Sequence, residues 1–231
     1  MAVLAGAVVQ GGVGFGLGLV AAPVLTMVEP GLMPGAIQVV NMTLPLFTLA
    51  VEWRRVDWRG LGFAVLGRIP GSVIGALVVV YISVSARGIL VAVMVLAAVA
   101  LTARALSVPR NGVTITSAGF VSGITGTATG IGGPPVALVY QTAKGPQIRA
   151  TLAMFFFLSA AQSLVVLAVV DQLPAQALAT GAALIVPMAL GFLVSGPLRR
   201  YLDGGRVRAA VLAVAAASAL ALIAQNVIGW S

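Results

Sequence analysis

The sequence predicts an all-α integral membrane protein of two inverted repeats, each a Gly/Pro-broken re-entrant segment plus three transmembrane helices. Three observations lead there: the hydropathy, an internal duplication and the placement of charge. Hydrophobic residues make up 60% of the 231, charged residues 8%, and the mean hydropathy is +1.12, far above what a water-facing surface tolerates. At ~20 residues per spanning helix the chain has room for roughly six to eight membrane elements and short loops, so its function is expected within the bilayer.

In chain order, residues 1–28 are apolar but broken by glycines. Long apolar runs bounded by charge or Pro/Gly then predict spans over 33–53, 60–82 and 86–106. A polar piece over 107–112 reads as a short cytoplasmic linker between a first membrane repeat, 1–106, and a second, 113–231. The second opens with another glycine-broken segment, 113–142, whose centre reads GITGTATGIGGPPVALVYQ, and continues with spans over 147–170, 173–195 and 206–229. The N-terminus has no basic stretch ahead of its apolar run and does not resemble a cleaved signal peptide.

The duplication is read from register. Shifted by 112 residues, Gly11, Gly14, Gly18, Pro23 and Pro34 fall on Gly123, Gly126, Gly130, Pro135 and Pro146, and Val24, Met42 and Leu46 fall on Val136, Met154 and Leu158. With small gaps Asp57 then meets Asp171, Gly75-Ala76-Leu77-Val78 meets Gly191-Phe192-Leu193-Val194, and Arg87 meets Arg208. Matches kept in order across successive elements mark a repeat.

Charge selects the topology. If both broken segments crossed, the better orientation would leave seven of the thirteen Lys/Arg on the cytoplasmic side. If each enters and leaves on one face, Arg54, Arg55, Arg59, Arg104, Arg110, Lys144, Arg149, Arg199, Arg200, Arg206 and Arg208 are all cytoplasmic, Arg87 is outside, and Arg68 lies within a span. The second arrangement obeys the positive-inside rule far better. A seven-span variant, with residues 1–28 crossing fully, stays open because that segment carries no side-chain charge ahead of Glu29.

Composition excludes several chemistries. With no Cys and no His there is no thiol, disulfide, thiolate metal site or imidazole relay. The five acids, Glu29, Glu52, Asp57, Asp171 and Asp203, fall at or near predicted helix ends, so neither a metal site nor a carboxylate pair for hydrolysis is expected. The basic residues form no aromatic-interleaved stripe, which argues against nucleic acid. No cofactor is expected, and the chain reads as a non-enzyme. A homodimer is compatible with the sequence without being demanded by it.

Broken backbone at membrane depth is tolerated only where protein buries it or water reaches it. A pair of such breaks at corresponding places in inverted halves is the pattern of a secondary transporter's central site. Half-helices beginning there aim free N–H groups and a positive dipole end at the cavity, which favours an anion. In GIGGPP, Gly132 and Gly133 permit close backbone approach and positive φ, while Pro134 and Pro135 fit the first turn of a following helix. The first copy keeps Gly14, Gly16 and Gly18 but has Ala21 and Ala22 where the second has Gly133 and Pro134. Thr125, Thr127 and Thr129 offer hydroxyls. Against this stands packing alone, since Gly14/Gly18 and Gly126/Gly130 also satisfy the small-xxx-small pattern. Arg68, the one charge well inside an apolar run, is either a cationic ligand or gate, or a side chain reaching back to the headgroups. Asn41 and Gln38 line the path or bond between helices; for Gln162 the structural role is favoured.

The pattern Gly-x-x-Gly-x-x-x-Gly-Ile-Gly-Gly-Pro-Pro over 123–135 resembles the signature of the sulfite exporter TauE/SafE family of bacterial membrane permeases. The degenerate copy at 11–23, the VEWRRVDWRG loop, and GSVIGALVVV matched by ALGFLVSGPL extend the resemblance over nearly the whole chain; ARALSVPRNG is a short linker for this family. The resemblance implies transport of sulfite, sulfoacetate or other organosulfonates across the bacterial cytoplasmic membrane. It carries over to Gly130, Gly132, Gly133, Pro134 and Pro135, and less fully to Gly14, Gly18 and Pro23. The expectation is therefore a multi-pass secondary exporter or facilitator whose small anionic substrate is held by Gly14, Gly18, Asn41, Arg68, Thr127, Thr129, Gly130, Gly132, Gly133, Pro134 and Pro135. Its alternatives are an anion channel with a re-entrant selectivity filter and a non-transporting membrane scaffold.

Overall fold

The computed structural model describes residues 1–13, 16–103, 108–143, 145–202 and 205–228. The elements are α1 (Ala2–Val13), α2 (Leu17–Val28), α3 (Gly35–Glu52), α4 (Trp58–Tyr81), α5 (Val84–Ala103), α6 (Gly112–Thr129), α7 (Gly133–Tyr140), α8 (Gly145–Val169), α9 (Ala175–Ala183), α10 (Ile185–Leu202) and α11 (Gly205–Ile228), with single 3-10 turns at Pro30–Leu32 and Trp53–Arg55. Among the described residues there is no strand.

The stretches Gly35–Arg55, Trp58–Tyr81, Ser85–Ala103, Gly145–Val169 and Ala175–Ser195 are long and apolar enough to cross a bilayer, and the sixth expected span coincides with α11. One expected span, 173–195, is not a single helix. Pro187 cannot donate to the carbonyl of residue 183 and its ring crowds that turn, so the chain breaks into α9 and α10 at Leu184, and α10 runs on to Leu202. Pro23, Pro45 and Pro70 are instead carried inside α2, α3 and α4.

α4 shows how sequence becomes packing. Gly60, Ala64, Gly67, Arg68, Gly71, Gly75 and Val79 recur at helical spacing and are buried, while Phe63, Leu66, Ile69, Val73, Leu77 and Val80 on other faces are exposed, as suits lipid. The buried stripe packs against α6 with the two helices running the same way. A methyl on Gly67 would overlap the carbonyl of Thr116, one on Gly71 that of Phe120, and one on Gly75 would lie 2.6 Å from the Ile124 oxygen. Small residues every fourth position therefore let the two backbones touch, and van der Waals contact replaces the hydrophobic drive that lipid does not supply. A small-xxx-small seam thus lies on Gly67/Gly71/Gly75 facing Gly119/Gly123, beyond the Gly14/Gly18 and Gly126/Gly130 patterns read from the sequence.

The helix pairings follow the register of the expected duplication. α6 packs on α4, and α1 packs on α10; α3 packs on α8, and α5 on α11. α8 also packs on α4 while α3 packs on α9. The segment α6–α7 thus leans on α4, and α1 leans on α10. Two large apolar cores result, one around α1, α2, α5, α10 and α11, the other around α4, α6, α7 and α8, with α3 contributing to both, and a third small cluster gathers Val79, Ala128 and Leu167.

The two ends of the α6–α7 segment meet. Tyr140, the last residue of α7, donates its hydroxyl to Asp57 Oδ2 at 3.1 Å, and the Arg110 guanidinium, just before α6, sits 5.8 Å from the Tyr140 ring centroid. Asp57 is itself the N-cap of α4, accepting from Gly60 N–H, and its own N–H donates to Thr151 Oγ1. Arg54, Arg55, Arg59, Arg110 and Arg149 therefore share one basic face with Asp57 and Glu52. Arg87, bonded to Gln172 at 2.9 Å, lies at the other.

Candidate functional site

Both broken segments turn on a glycine that no other residue could replace without strain. Gly130 ends α6 at φ +79, and Gly16 precedes α2 at φ +135, the left-handed region that L side chains avoid. Positive φ was expected at Gly132, but that residue is the N-cap of α7 at φ −106; the positive φ lies two residues earlier, at Gly130. Close approach at Gly132 holds. A methyl there would lie 2.8 Å from Ser122 Oγ and 3.1 Å from the Gly126 Cα, so the chain folds back on α6. Pro134 and Pro135 occupy the first turn of α7. Lacking N–H groups, they leave Gly132 and Gly133 as that turn's backbone donors.

The two breaks touch. A methyl on Gly18 would lie 3.0 Å from the Gly130 carbonyl oxygen, and these two glycines stand opposite each other in the 112-residue register. Around this contact is a cavity of about 40 Å³. Its lining includes Gly16, Gly18, Asn41, Arg68, Gly130, Gly132, Gly133 and Pro134, joined by Gln10, Gln38, Ser122, Phe155, Phe156 and Ser159.

Arg68 is 1% exposed. Its Nη1 donates to the Ser122 carbonyl at 2.7 Å, and its Nη2 to the Ser159 carbonyl at 3.0 Å and to Ser163 Oγ at 2.6 Å. The guanidinium lies 5.9 Å from the Phe155 ring centroid. No carboxylate is among these partners, and Nε has no partner among the described residues. A reach back to the headgroups, one of the two sequence readings, is not what the side chain does: it points into protein. A charge this deep without a counter-ion is costly unless polar groups and a ligand compensate it.

The amides are committed to the broken backbone. Gln38 Nε2 donates to the Gly126 carbonyl at 2.7 Å and Asn41 Nδ2 to that of Gly130 at 3.0 Å, so the last turn of α6 is held by α3. Ser122 Oγ donates to the Gly132 carbonyl. In the first half Gln10 Oε1 accepts from Leu17 N–H at 3.1 Å and caps α2. Gln162 bonds Ser72 at 3.1 Å, the interhelical role expected of it.

Of the expected site residues, Gly18, Asn41, Arg68, Gly130, Gly132, Gly133 and Pro134 come together at the cavity. Thr127 and Thr129 do not line it. Thr127 Oγ1 pairs with Ser163 Oγ at 2.9 Å and Thr129 Oγ1 donates to the Thr125 carbonyl at 2.7 Å. Pro135 lies one residue beyond the lining, and Gly14 lies outside the described residues. Sequence reasoning missed Gln10, Ser122, Ser159 and Ser163. Two signals were present: Gln10 and Ser122 are mates in the 112-residue register, and Ser159 and Ser163 stand four residues apart on one face of α8.

The profile of the family described as sulfite exporter TauE/SafE matches residues 1–222. A curated relative, the probable sulfite/organosulfonate exporter TauE of Cupriavidus necator, is 29% identical over 199 residues, covering 80% of this chain and 77% of that protein. No solved structure matches the chain.

Proposed function

We propose, from the premise that the chain belongs to the sulfite exporter TauE/SafE family, that it carries a small sulfur oxyanion or organosulfonate through the cavity where its two broken segments meet. The family makes it a multi-pass membrane transporter and not an enzyme. The observation that carries the finer reading is Arg68: a fully buried cation with only neutral partners, at a cavity that also receives the first turn of α7. A bound anion would supply the missing counter-charge, with the Gly132 and Gly133 N–H groups as further donors. A cavity of about 40 Å³ has room for about three water-sized groups. That suits the oxygens of sulfite; a longer organosulfonate needs the cavity to open.

The reciprocal helix pairings, the Gly18–Gly130 contact between matched residues, and the joined ends of α6–α7 support two repeats, 1–106 and 113–231, around a pseudo-two-fold axis through the cavity. With the basic face in the cytoplasm, that arrangement is inverted and lets the two cores rock about the site. The halves are unequal in chemistry. In the register that pairs Gly75 with Gly191, Arg68 faces Leu184, so the charge comes from one repeat. A negative-inside potential drives an anion outward at about 2.3 kcal/mol per charge per 100 mV, so export across a bacterial inner membrane needs no coupling ion.

The test is flux into proteoliposomes of labelled sulfite, sulfoacetate, sulfate and chloride, with and without a pH gradient. Saturable movement of a sulfur anion is expected. Conductance far above carrier turnover would replace the carrier by a channel, and flux no higher than in empty liposomes for every anion would overturn the reading.

A further inference from the structure

The central cavity does not stand alone. A second, smaller cavity of about 10 Å³ is lined by Gln10, Gly11, Thr48, Arg149, Ala153 and Phe192, among others. Gln10 lines both. Its Oε1 is used by Leu17 N–H, which leaves its amide N–H donors uncommitted among the described residues. At the far end of this second cavity Arg149 meets Glu52 with both arms of its fork, Nη2 to Oε1 at 2.6 Å and Nε to Oε2 at 3.2 Å. The pair joins α3 to α8, the matched helices of the two halves, on the basic face, and its side chains are 28% and 18% exposed. A row of polar groups thus runs from solvent through Arg149 and Gln10 to Arg68, interrupted where Glu52 occupies the arginine.

We propose that this row is the entrance from the basic face, and that Arg149, released from Glu52, is a second binding residue for the transported oxyanion. The inference rests on the anion-carrier reading above. The chemistry is an exchange of like for like. A guanidinium fork grips two oxygens on one centre, and a sulfite or sulfonate presents such a pair as a carboxylate does. Glu52 therefore holds the entrance shut in this state and competes with the substrate for Arg149. Because the pair is partly wet, water lowers the cost of parting it.

The natural chain has no cysteine, so a single reporter thiol needs no prior removal. Ala153→Cys places it in the passage on α8, and Thr48→Cys reads the same passage from α3. In nanodiscs both faces are accessible, and thiol modification is timed with an anionic reagent, sulfonatoethyl methanethiosulfonate, and a cationic one, trimethylammonioethyl methanethiosulfonate. Added Glu52→Gln should speed the anionic reagent roughly tenfold or more, and more than the cationic one, because Arg149 is left free to attract it. Added Arg149→Gln should speed only the cationic reagent. Unchanged rates with Glu52→Gln at both reporters, or equal acceleration of the two reagents by both variants, would overturn the proposal. Sulfite flux is measured on the same proteins. Flux with unchanged labelling sinks the entrance alone, whereas labelling as expected without any flux sinks the carrier reading and leaves the anion passage standing.

Discussion

Replacing Arg68 by glutamine removes the one charge at the central cavity while keeping a side chain that can still donate. The size of the effect follows from the geometry. Gly126 contacts both groups: a methyl on it would lie 3.0 Å from Arg68 Nη1 and 3.1 Å from the Gly132 Cα. The guanidinium is therefore close to the first turn of α7, and an anion held there would lie within about 5 Å of it. At an effective dielectric constant of about 20, a unit charge at that distance is worth about 3 kcal/mol, or about a hundredfold in affinity. Arg68→Lys keeps the charge, but one ammonium cannot span the Ser122 carbonyl, the Ser159 carbonyl and Ser163 Oγ as the fork does, and a loss of about tenfold is expected. Folding should survive. The glutamine leaves a buried carbonyl without its donor, about 1 kcal/mol at bilayer depth, and relieves a desolvated charge. The assay is equilibrium binding of labelled sulfite to purified protein, with size-exclusion profile and thermal melt as controls. Binding by a folded Arg68→Gln within about threefold of the wild type would refute the argument, since no unit charge at the site is worth so little.

Gly71→Val should lower stability by about 3 kcal/mol, because its side chain would overlap the Phe120 carbonyl and the Gly123 backbone; Gly62→Val, where a methyl meets nothing within 4 Å, should be neutral to about 0.5 kcal/mol in the same melts. Gly130→Ala combines a left-handed φ of +79 with overlap on Ile37, strain of about 1–2 kcal/mol before the overlap is counted. Flux should fall, and adding Ile37→Ala should restore it only in part because the backbone strain remains. Tyr140→Phe removes the bond that ties the end of the α6–α7 segment to Asp57 and should cost about 1 kcal/mol. Asp57→Ala should cost more in the same melt, since the α4 N-cap goes with it.

Much was legible in the sequence because a bilayer imposes few choices. Apolar runs of spanning length placed α3, α4, α5, α8 and α11 within a few residues, since every backbone amide in lipid must bond within its own helix. The Gly-Pro pattern located the α6–α7 break, where missing Cβ atoms and a missing N–H are local properties of residue type. Arg68 stood out because a lone charge in hydrocarbon needs a reason. What the residues around Arg68 do was not legible. Thr127 and Thr129 were as plausible as Ser122 and Ser159 by chemistry, and only the rotation of α6 and α8 about their axes sends the threonine hydroxyls to Ser163 and Thr125 and brings the serines to the cavity. The pairing of α4 with α6 through Gly67, Gly71 and Gly75 was equally hidden, because glycines every fourth residue state that something approaches closely without naming the partner.

The sequence by itself determined the solvent, the rough bounds of most of the membrane helices, the two breaks and the buried charge at Arg68, each a consequence of hydropathy, backbone freedom or solvation that acts within one segment. The tertiary structure decided that Gly18 meets Gly130, that Asn41 and Gln38 secure the end of α6, and that Glu52 closes on Arg149. Those contacts join residues some 88 to 112 positions apart. They depend on how helices turn and lean on one another, and no local property of the chain carries that information.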